Sequence, residues 1–269
     1  MAKKSIEVLV FCPTNRYGSL DMLFSSLKRQ NYPYVLCMAD ELMNQRIYVY
    51  EEHDMLNNTI FVECVKQPGN ARALAQAYNN AADLAASMEF DLMISMQDYL
   101  WIPDNGIELF VEDYVNYPNC LITGLVSLSA APSDQDITNP YGMFSIFAEP
   151  LSTRPEGISW HDVRETNLYP GDKQIVACAP EHWEANWAAI PVQLLKDGIR
   201  WDLSYDEGIA YENIDFAKKC ELEYETPCIL DKRNHAVGIP HREIWPEEKE
   251  QLKRYNNRWI HEEKWGKLR

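Results

Sequence analysis

Three polar clusters in this chain have residue types suited to chemistry, and each sits where an apolar run ends or a helix begins. Asp40 and Glu41 close one apolar run, Gln97 and Asp98 close another, and Glu212, Asn213 and Asp215 open a helical stretch. Polar groups at the C-terminal ends of buried strands are where open α/β sheets place their ligands. Together the clusters offer a hydrogen-bond partner for a base or sugar, a ligand for a hard cation, and a carboxylate for acceptor binding or proton abstraction. Each also has a plainer reading. Asp98 can cap the turn leading to Pro103, while Glu212 and Asp215, three apart on one helix face, can simply complement a helix dipole.

The elements that position these clusters follow from hydrophobic periodicity. Residues 7–12 form a short β-rich apolar run closed by Pro13, Thr14 and Asn15, which predicts a central strand and a turn. Leu20, Leu23, Phe24 and Leu27 recur at helical spacing, and Asn31 to Pro33 stop that helix before a second strand over 34–38. Strand, helix, strand at this spacing predicts a right-handed βαβ unit. Residues 42–58 are polar and show no clear period, and a third strand is expected over 59–65. Gly69 and Asn70 open an alanine-rich helix bearing Ala73, Ala77, Tyr78, Ala81 and Ala85, small enough to lie close on a sheet. The strand 91–96 then delivers Asp98, followed by a helix over about 105–115 and a strand over 120–126.

Beyond Leu128, about 45 residues rich in Pro, Ser, Asp and Thr carry little periodicity, and loops that long in compact enzymes are usually functional. Trp160, His161, Tyr169, Trp183 and Trp187 give this region aromatic faces that suit sugar CH surfaces or nucleobases. Order returns at 173–178, at 183–190, in a short helix over 191–198, and in a helix from about Tyr211. With no internal repeat and no clean linker, the expectation is one α/β domain with a mixed central sheet. Residues 1–127 form its first half, 128–245 its second, and 246–269 a helical tail.

Composition limits the function classes. The chain has 269 residues, 46% hydrophobic and 12% aromatic, which suits a folded globular protein with a sizeable core. Seven scattered cysteines without a CxxC pair fit buried free thiols in a reducing cytoplasm. There is no signal-peptide pattern and no apolar span long enough for a membrane helix. A net charge of −16 argues against a broad nucleic-acid footprint. Residues 251–269 hold six Lys/Arg against two Glu, a pattern best read as an amphipathic helix lying on the body.

In this order the parts resemble family 2 glycosyltransferases of the GT-A fold. Pro13, Thr14, Asn15 and Arg16 after the first strand, and the helix ending over Leu27 to Pro33, resemble that family's opening turn and helix. Ala77, Asn79 and Ala81, with Arg72 upstream, resemble its A-x-N-x-G/A helix segment. Met96 to Pro103 resembles the segment around its metal-binding DxD motif. Glu212, Asn213 and Asp215 fall at its E-D-x-D motif, after Trp201 and Asp202, and His241, Asn256, Asn257, Lys264, Trp265 and Gly266 resemble its closing pattern.

The resemblance implies a nucleotide-sugar donor, uridine-linked, held by residues 1–127, and an acceptor that is a glycan, a protein or a hydroxylated DNA base, gripped in the acceptor-binding and catalytic half 128–245 by Trp160, His161, Tyr169, Trp183 and Trp187. It implies that Pro13, Thr14, Asp40, Arg72, Asn79 and Gln97 line the donor site. Asp98 is the implied ligand of Mn²⁺ or Mg²⁺, with His241 as second ligand and His235 as its competitor; an imidazole favours Mn²⁺. Glu212, Asn213 and Asp215 are the implied catalytic group. Two departures stand out. Met96 replaces the first DxD aspartate, and Asn213 occupies the position of the usual catalytic aspartate, where an amide cannot accept a proton. Either Glu212, Asp215, Asp206 or Glu207 serves instead, or the reaction retains configuration. A non-catalytic nucleotide-sugar-binding protein on the same fold is the competing expectation. A sugar nucleotidyltransferase is disfavoured, because residues 13–18 supply no Gly-rich phosphate loop.

Overall fold

The computed structural model describes residues 5–14, 20–65, 73–129, 154–208, 210–239 and 256–267. Among these residues nine strands form one mixed sheet: β1 (Val8–Thr14), β2 (Val35–Asp40), β3 (Thr59–Phe61), β4 (Leu92–Met96), β5 (Leu100–Trp101), β6 (Leu121–Leu128), β7 (Ile175–Cys178), β8 (Trp187–Pro191) and β9 (Cys228–Gly238). Their order is β3-β2-β1-β4-β8-β6-β9-β5, with β7 also paired to β9. The β3, β2, β1 and β4 strands are mutually parallel. β8 then enters antiparallel between β4 and β6, so later chain is woven into the middle of the sheet.

Period-two alternation along β1 sends side chains to two apolar layers. Val8, Val10 and Cys12 face a layer with Leu23 and Phe24 of α1 (Leu20–Leu27), Tyr50 of α2 (Met43–Glu52) and Phe110 of α4 (Gly106–Asn116). Leu9 and Phe11 face the other layer, with Tyr78 and Ala81 of α3 (Leu74–Ser87), Leu195 of α5 (Val192–Lys196) and Phe216 of α6 (Glu212–Tyr224). Five buried alanines of α3 let that helix approach the sheet as expected. A last helix, α7 (Arg258–Trp265), lies in the C-terminal tail and buries His261.

Two elements form where the sequence reading assigns none. α2 forms in the polar stretch, anchored by buried Arg46, Val49 and Tyr50. β9 (Cys228–Gly238) runs through Asp231, Lys232, Arg233, Asn234 and His235, five polar residues without the alternation that marks a strand. It becomes strand because its polar groups find partners in the fold. Arg233 bonds Asp231 at 3.0 Å and Asp113 at 2.7 Å, and Asn234 accepts from Trp187 Nε1 and donates to the Gly106 carbonyl. The ladder to β6 also shifts register between Gly124 and Leu125, accommodating the extra residues as a bulge.

Candidate functional site

β1, β2 and β4 end side by side, and their terminal residues share one buried hydrogen-bond chain. Thr14 donates to Asp98 Oδ2 at 2.6 Å and receives Arg46 Nη2 at 2.8 Å. Arg46 in turn forks onto Asp40, with Nη2 to Oδ1 at 2.6 Å and Nε to Oδ2 at 2.9 Å. Asp40 also accepts from Tyr50 OH at 2.7 Å and from the Leu42 N–H at 2.8 Å. Burial, and then the Asp40 charge, drive the Tyr50 phenol well above its ordinary pKa, so it stays a donor. The arrangement brings Thr14, Asp40 and Asp98 together as the sequence suggested. It differs in one respect: the Asp40 side chain has no exposed surface.

The next layer begins at Ser95, just before Met96. Ser95 Oγ lies 2.8 Å from Tyr78 OH and donates to the Ala185 carbonyl at 2.6 Å. Tyr78 stacks on Trp201 with centroids 4.6 Å apart, and Trp201 stacks on Phe216 at 3.8 Å. Asn79 clamps the Trp201 backbone from both sides, its amide donating at 2.9 Å and accepting at 2.8 Å. Asn79 is therefore occupied in holding Trp201. The Trp201 indole donates to Asn213 Oδ1 at 3.1 Å, which ties the start of α6 to the end of β4.

α6 begins from an unusual backbone. Ala210 and Tyr211 both take positive φ, 69° and 72°, a conformation costing an L-residue roughly 1–2 kcal/mol. Buried Asn257 holds this turn through the carbonyls of Tyr205 (2.7 Å) and Ala210 (3.1 Å). Glu212 Oε1 accepts from Asn213 Nδ2 at 3.3 Å. Asp215 is buried and accepts from Trp265 Nε1 at 2.6 Å, Tyr205 OH at 3.2 Å and Lys264 at 2.8 Å. Lys264 also bonds Asp202 at 3.0 Å. Burial opposes the Lys264 charge, but its two aspartates outweigh that and raise its pKa. Asp215 thus fastens α7 to α6, with both carboxylate oxygens engaged by the chain itself. Asp206 is likewise occupied: its two oxygens accept the Ala75 and Gln76 N–H groups at 2.8 and 3.0 Å, capping α3 from a distance.

No protein-family model matches the sequence, and no curated protein sequence does either. Solved structures do. The chain is similar to residues 1–349 of Staphylococcus aureus TarS in complex with UDP, at TM-score 0.52 and 13% identity, over 93% of this chain and 64% of that one. It is similar to GalNAc-T7 with UDP, GalNAc and Mn²⁺, at TM-score 0.60 and 14% identity, over 90% of this chain and 45% of that one. TarS with UDP-GlcNAc matches at TM-score 0.53 and 13% identity, over 88% of this chain and 59% of that one. The chain has the GT-A fold. It spans less than two thirds of each of these GT-A chains.

Placed on the GT-A sheet, the remaining expected residues sort as follows. Pro13 lies within β1 opposite Ala39, and Gln97 is buried, its N–H donating to the Asn186 carbonyl at 2.9 Å. Arg72 and His241 lie outside the described residues. His235 faces Ser127 Oγ at 2.8 Å, and burial lowers its pKa. Met96 is buried in the core, so it leaves no donor atom beside Asp98. Trp183 and Trp187 are also core residues, 1% and 0% exposed, their indole N–H groups donating to Ile122 O and Asn234 Oδ1. They therefore offer an acceptor no ring face, which corrects that expectation; Trp160, 43% exposed, does.

Among the described residues no group of three or more His, Cys, Asp or Glu side chains is arranged to hold a metal ion. Asp98 supplies one carboxylate, hydrogen-bonded by Thr14. Mg²⁺-type ions are commonly held by one or two carboxylates plus substrate phosphates and water. The donor set therefore fits an ion arriving with a diphosphate rather than a resident one. Arg46 and Tyr50, which hold Thr14 and Asp40, were not singled out from the sequence, and Asn257 was named only within the closing pattern. Arg46 and Tyr50 sit in a stretch without apolar period, and Arg46 falls at a kink in α2 (φ −135°, ψ 23°), so no regular helical spacing reports their shared target.

Proposed function

We propose that this chain is a glycosyltransferase that moves a sugar from a nucleoside diphosphate, uridine-linked, to an acceptor hydroxyl. The observation that carries this reading is that β4, which leads into the Asp98 bonded by Thr14, is tied through Ser95, Tyr78 and Trp201 to Asn213 at the start of α6, on a GT-A sheet. The bound UDP and UDP-GlcNAc of its structural neighbours support the donor class. In this reading Pro13, Thr14 and Gln97 border the nucleotide and diphosphate. Asp40 and Asn79 act at one remove, by holding Arg46 and Trp201. Asp98 takes Mn²⁺ or Mg²⁺, and Arg72 and His241 keep the roles of nucleotide helper and second ligand that the resemblance implies. When bound, the ion supplies positive charge against the leaving diphosphate. Thr14 orients the Asp98 carboxylate, and Arg46 fixes Thr14. Trp160 and His161, both exposed, border the acceptor, which is a glycan, a protein or a hydroxylated DNA base.

All seven cysteines are free, and no helix among the described residues is long and apolar enough to cross a membrane. Both support the cytoplasmic placement within this reading. A thermal-shift panel of nucleotide sugars, with and without Mn²⁺, tests it. Ligand at 100-fold above Kd stabilises by about 2.7 kcal/mol, a rise of roughly 5–10 °C for a domain of this size. UDP-linked donors are expected to give that rise, largest with Mn²⁺; a flat response to every donor contradicts the reading. The alternative, a binding protein without turnover, draws on Asn213 and on the occupied Asp215. UDP-sugar binding with no product from any acceptor pool favours it.

A further inference from the structure

The backbone leading into α6 is strained at two successive residues. Ala210 and Tyr211 both lie in the left-handed region, with φ 69° and 72°, and neither is a glycine. Tyr211 precedes α6 without a capping bond from its own side chain. Two such L-residues in succession persist only where the surroundings over-determine them, and strain of this kind collects at functional sites.

The restraint comes from the tail helix. Asn257, just ahead of α7, is buried, and its amide donates to the carbonyls of Tyr205 at 2.7 Å and Ala210 at 3.1 Å. One turn on, the buried His261 ring lies against the Tyr211 ring, with centroids 5.3 Å apart. In the next turn Lys264 bonds Asp202 and Asp215, and Trp265 Nε1 bonds Asp215. The spacing 257, 261, 264 and 265 puts these four residues on one face of α7. All of these contacts fall on residues 202–215, the segment that holds the strained turn and the start of α6.

That turn decides where α6 begins. Glu212 follows Tyr211 directly, and its Oε1 accepts from Asn213 Nδ2 at 3.3 Å. Asn213 Oδ1 accepts from the Trp201 indole, Trp201 stacks on Tyr78, and Tyr78 OH lies 2.8 Å from Ser95 Oγ of β4. Burial raises the Tyr78 phenol pKa against the pull of the Ser95 bond, and the Glu212 charge adds to the rise, so that charge is felt beside β4. Returning Ala210 or Tyr211 to negative φ would redirect the chain entering α6 and shift Glu212 and Asn213 together. We propose, resting on the glycosyltransferase reading above, that Asn257 is a positioning residue for the transfer. Reaching across from α7, it holds the left-handed turn and so sets where Glu212 and Asn213 stand in the site.

The test uses the full chain, UDP-GlcNAc with Mn²⁺, and water as the acceptor. UDP release is followed with each variant below its own Tm, and UDP binding is measured by calorimetry. Asn257→Ala removes both bonds. Asn257→Ser suits a helix start but is too short to reach both carbonyls, and it serves if the alanine variant does not fold. Misplacing reacting groups by about 1 Å costs on the order of 10²-fold, so kcat is expected to fall about 100-fold, with KM and UDP affinity within about threefold of wild type. Glycine takes positive φ without the Cβ penalty, so adding Ala210→Gly to Asn257→Ala is expected to recover at least about tenfold of the lost rate. A residue that only stabilised the fold would lower Tm and leave kcat at the wild-type value below it. Wild-type kcat in a folded Asn257 variant, a loss carried by KM and UDP affinity, or a double variant no faster than Asn257→Ala overturns the proposal. Wild-type protein that binds UDP but releases none from UDP-GlcNAc also overturns it. Failure of the wild type to bind UDP at all is the separate failure of the donor reading.

Discussion

Replacing Arg46 by alanine probes the buried chain at the strand ends most sharply. Arg46 and Asp40 have side chains 3% and 0% exposed, joined by bonds of 2.6–3.1 Å. Removing one member of such a pair leaves an uncompensated buried charge, typically costing about 3–5 kcal/mol. Asp40 keeps the Tyr50 hydroxyl and the Leu42 N–H, so the low end, about 3 kcal/mol, is the expected value. For a chain of this size that lowers Tm by roughly 6–12 °C. Urea unfolding of Arg46→Ala, Asp40→Asn and the double variant completes the measurement. The double variant has no orphaned charge, so a coupling of about 2 kcal/mol is expected between the two sites. Because Arg46 also holds Thr14, and Thr14 bonds Asp98, UDP affinity should fall as well. A Tm within about 2 °C of wild type, or additive single effects, refutes the reasoning.

Two further predictions concern positions that serve the fold. Asp206→Ala removes the carboxylate that accepts the Ala75 and Gln76 N–H groups, and should cost about 1–3 kcal/mol in urea unfolding without changing the m-value. Asp113, desolvated between α4 and β9 and hydrogen-bonded to Asp231, has its carboxyl pushed from an ordinary 3.8 up to about 8, against the pull of Arg233. Its folded pKa is raised, so its contribution is complete below about pH 4 and is lost as pH rises towards 8. Asp113→Asn removes that titration while keeping a donor for Asp231. Between about pH 5 and pH 8 its stability should gain on the wild type by at least about 1 kcal/mol; parallel pH curves contradict this.

Much of the fold was legible because its apolar periods are clean. The alternation of β1, the helical spacing of Leu20 to Leu27 and the small face of α3 all appear where their patterns place them. β9 was not legible, because its polar residues pair across the fold rather than along the chain. Arg233 reaches Asp113, 120 residues away, and no local pattern reports that. The site divides in the same way. Asp98, Thr14 and Asp40 were legible as strand ends, and their meeting is observed. What Asp215, Asp206 and Asn79 do was not legible, since a carboxylate or amide at a helix start looks alike whether it faces a substrate or Lys264, a helix N-terminus or Trp201. Asn257, which holds the left-handed turn before α6, carries no signal beyond its place in the closing pattern.

The central claim is that Asp98 anchors turnover of a nucleotide sugar at the end of β4. Its most direct test is UDP release from UDP-GlcNAc, with and without Mn²⁺, by wild type, Asp98→Ala and the near-isosteric Asp98→Asn. The account predicts Mn²⁺-dependent release by the wild type and a loss of at least about 100-fold in both variants, with Asp98→Asn still folded by Tm. Undiminished release by a folded Asp98→Asn protein contradicts it.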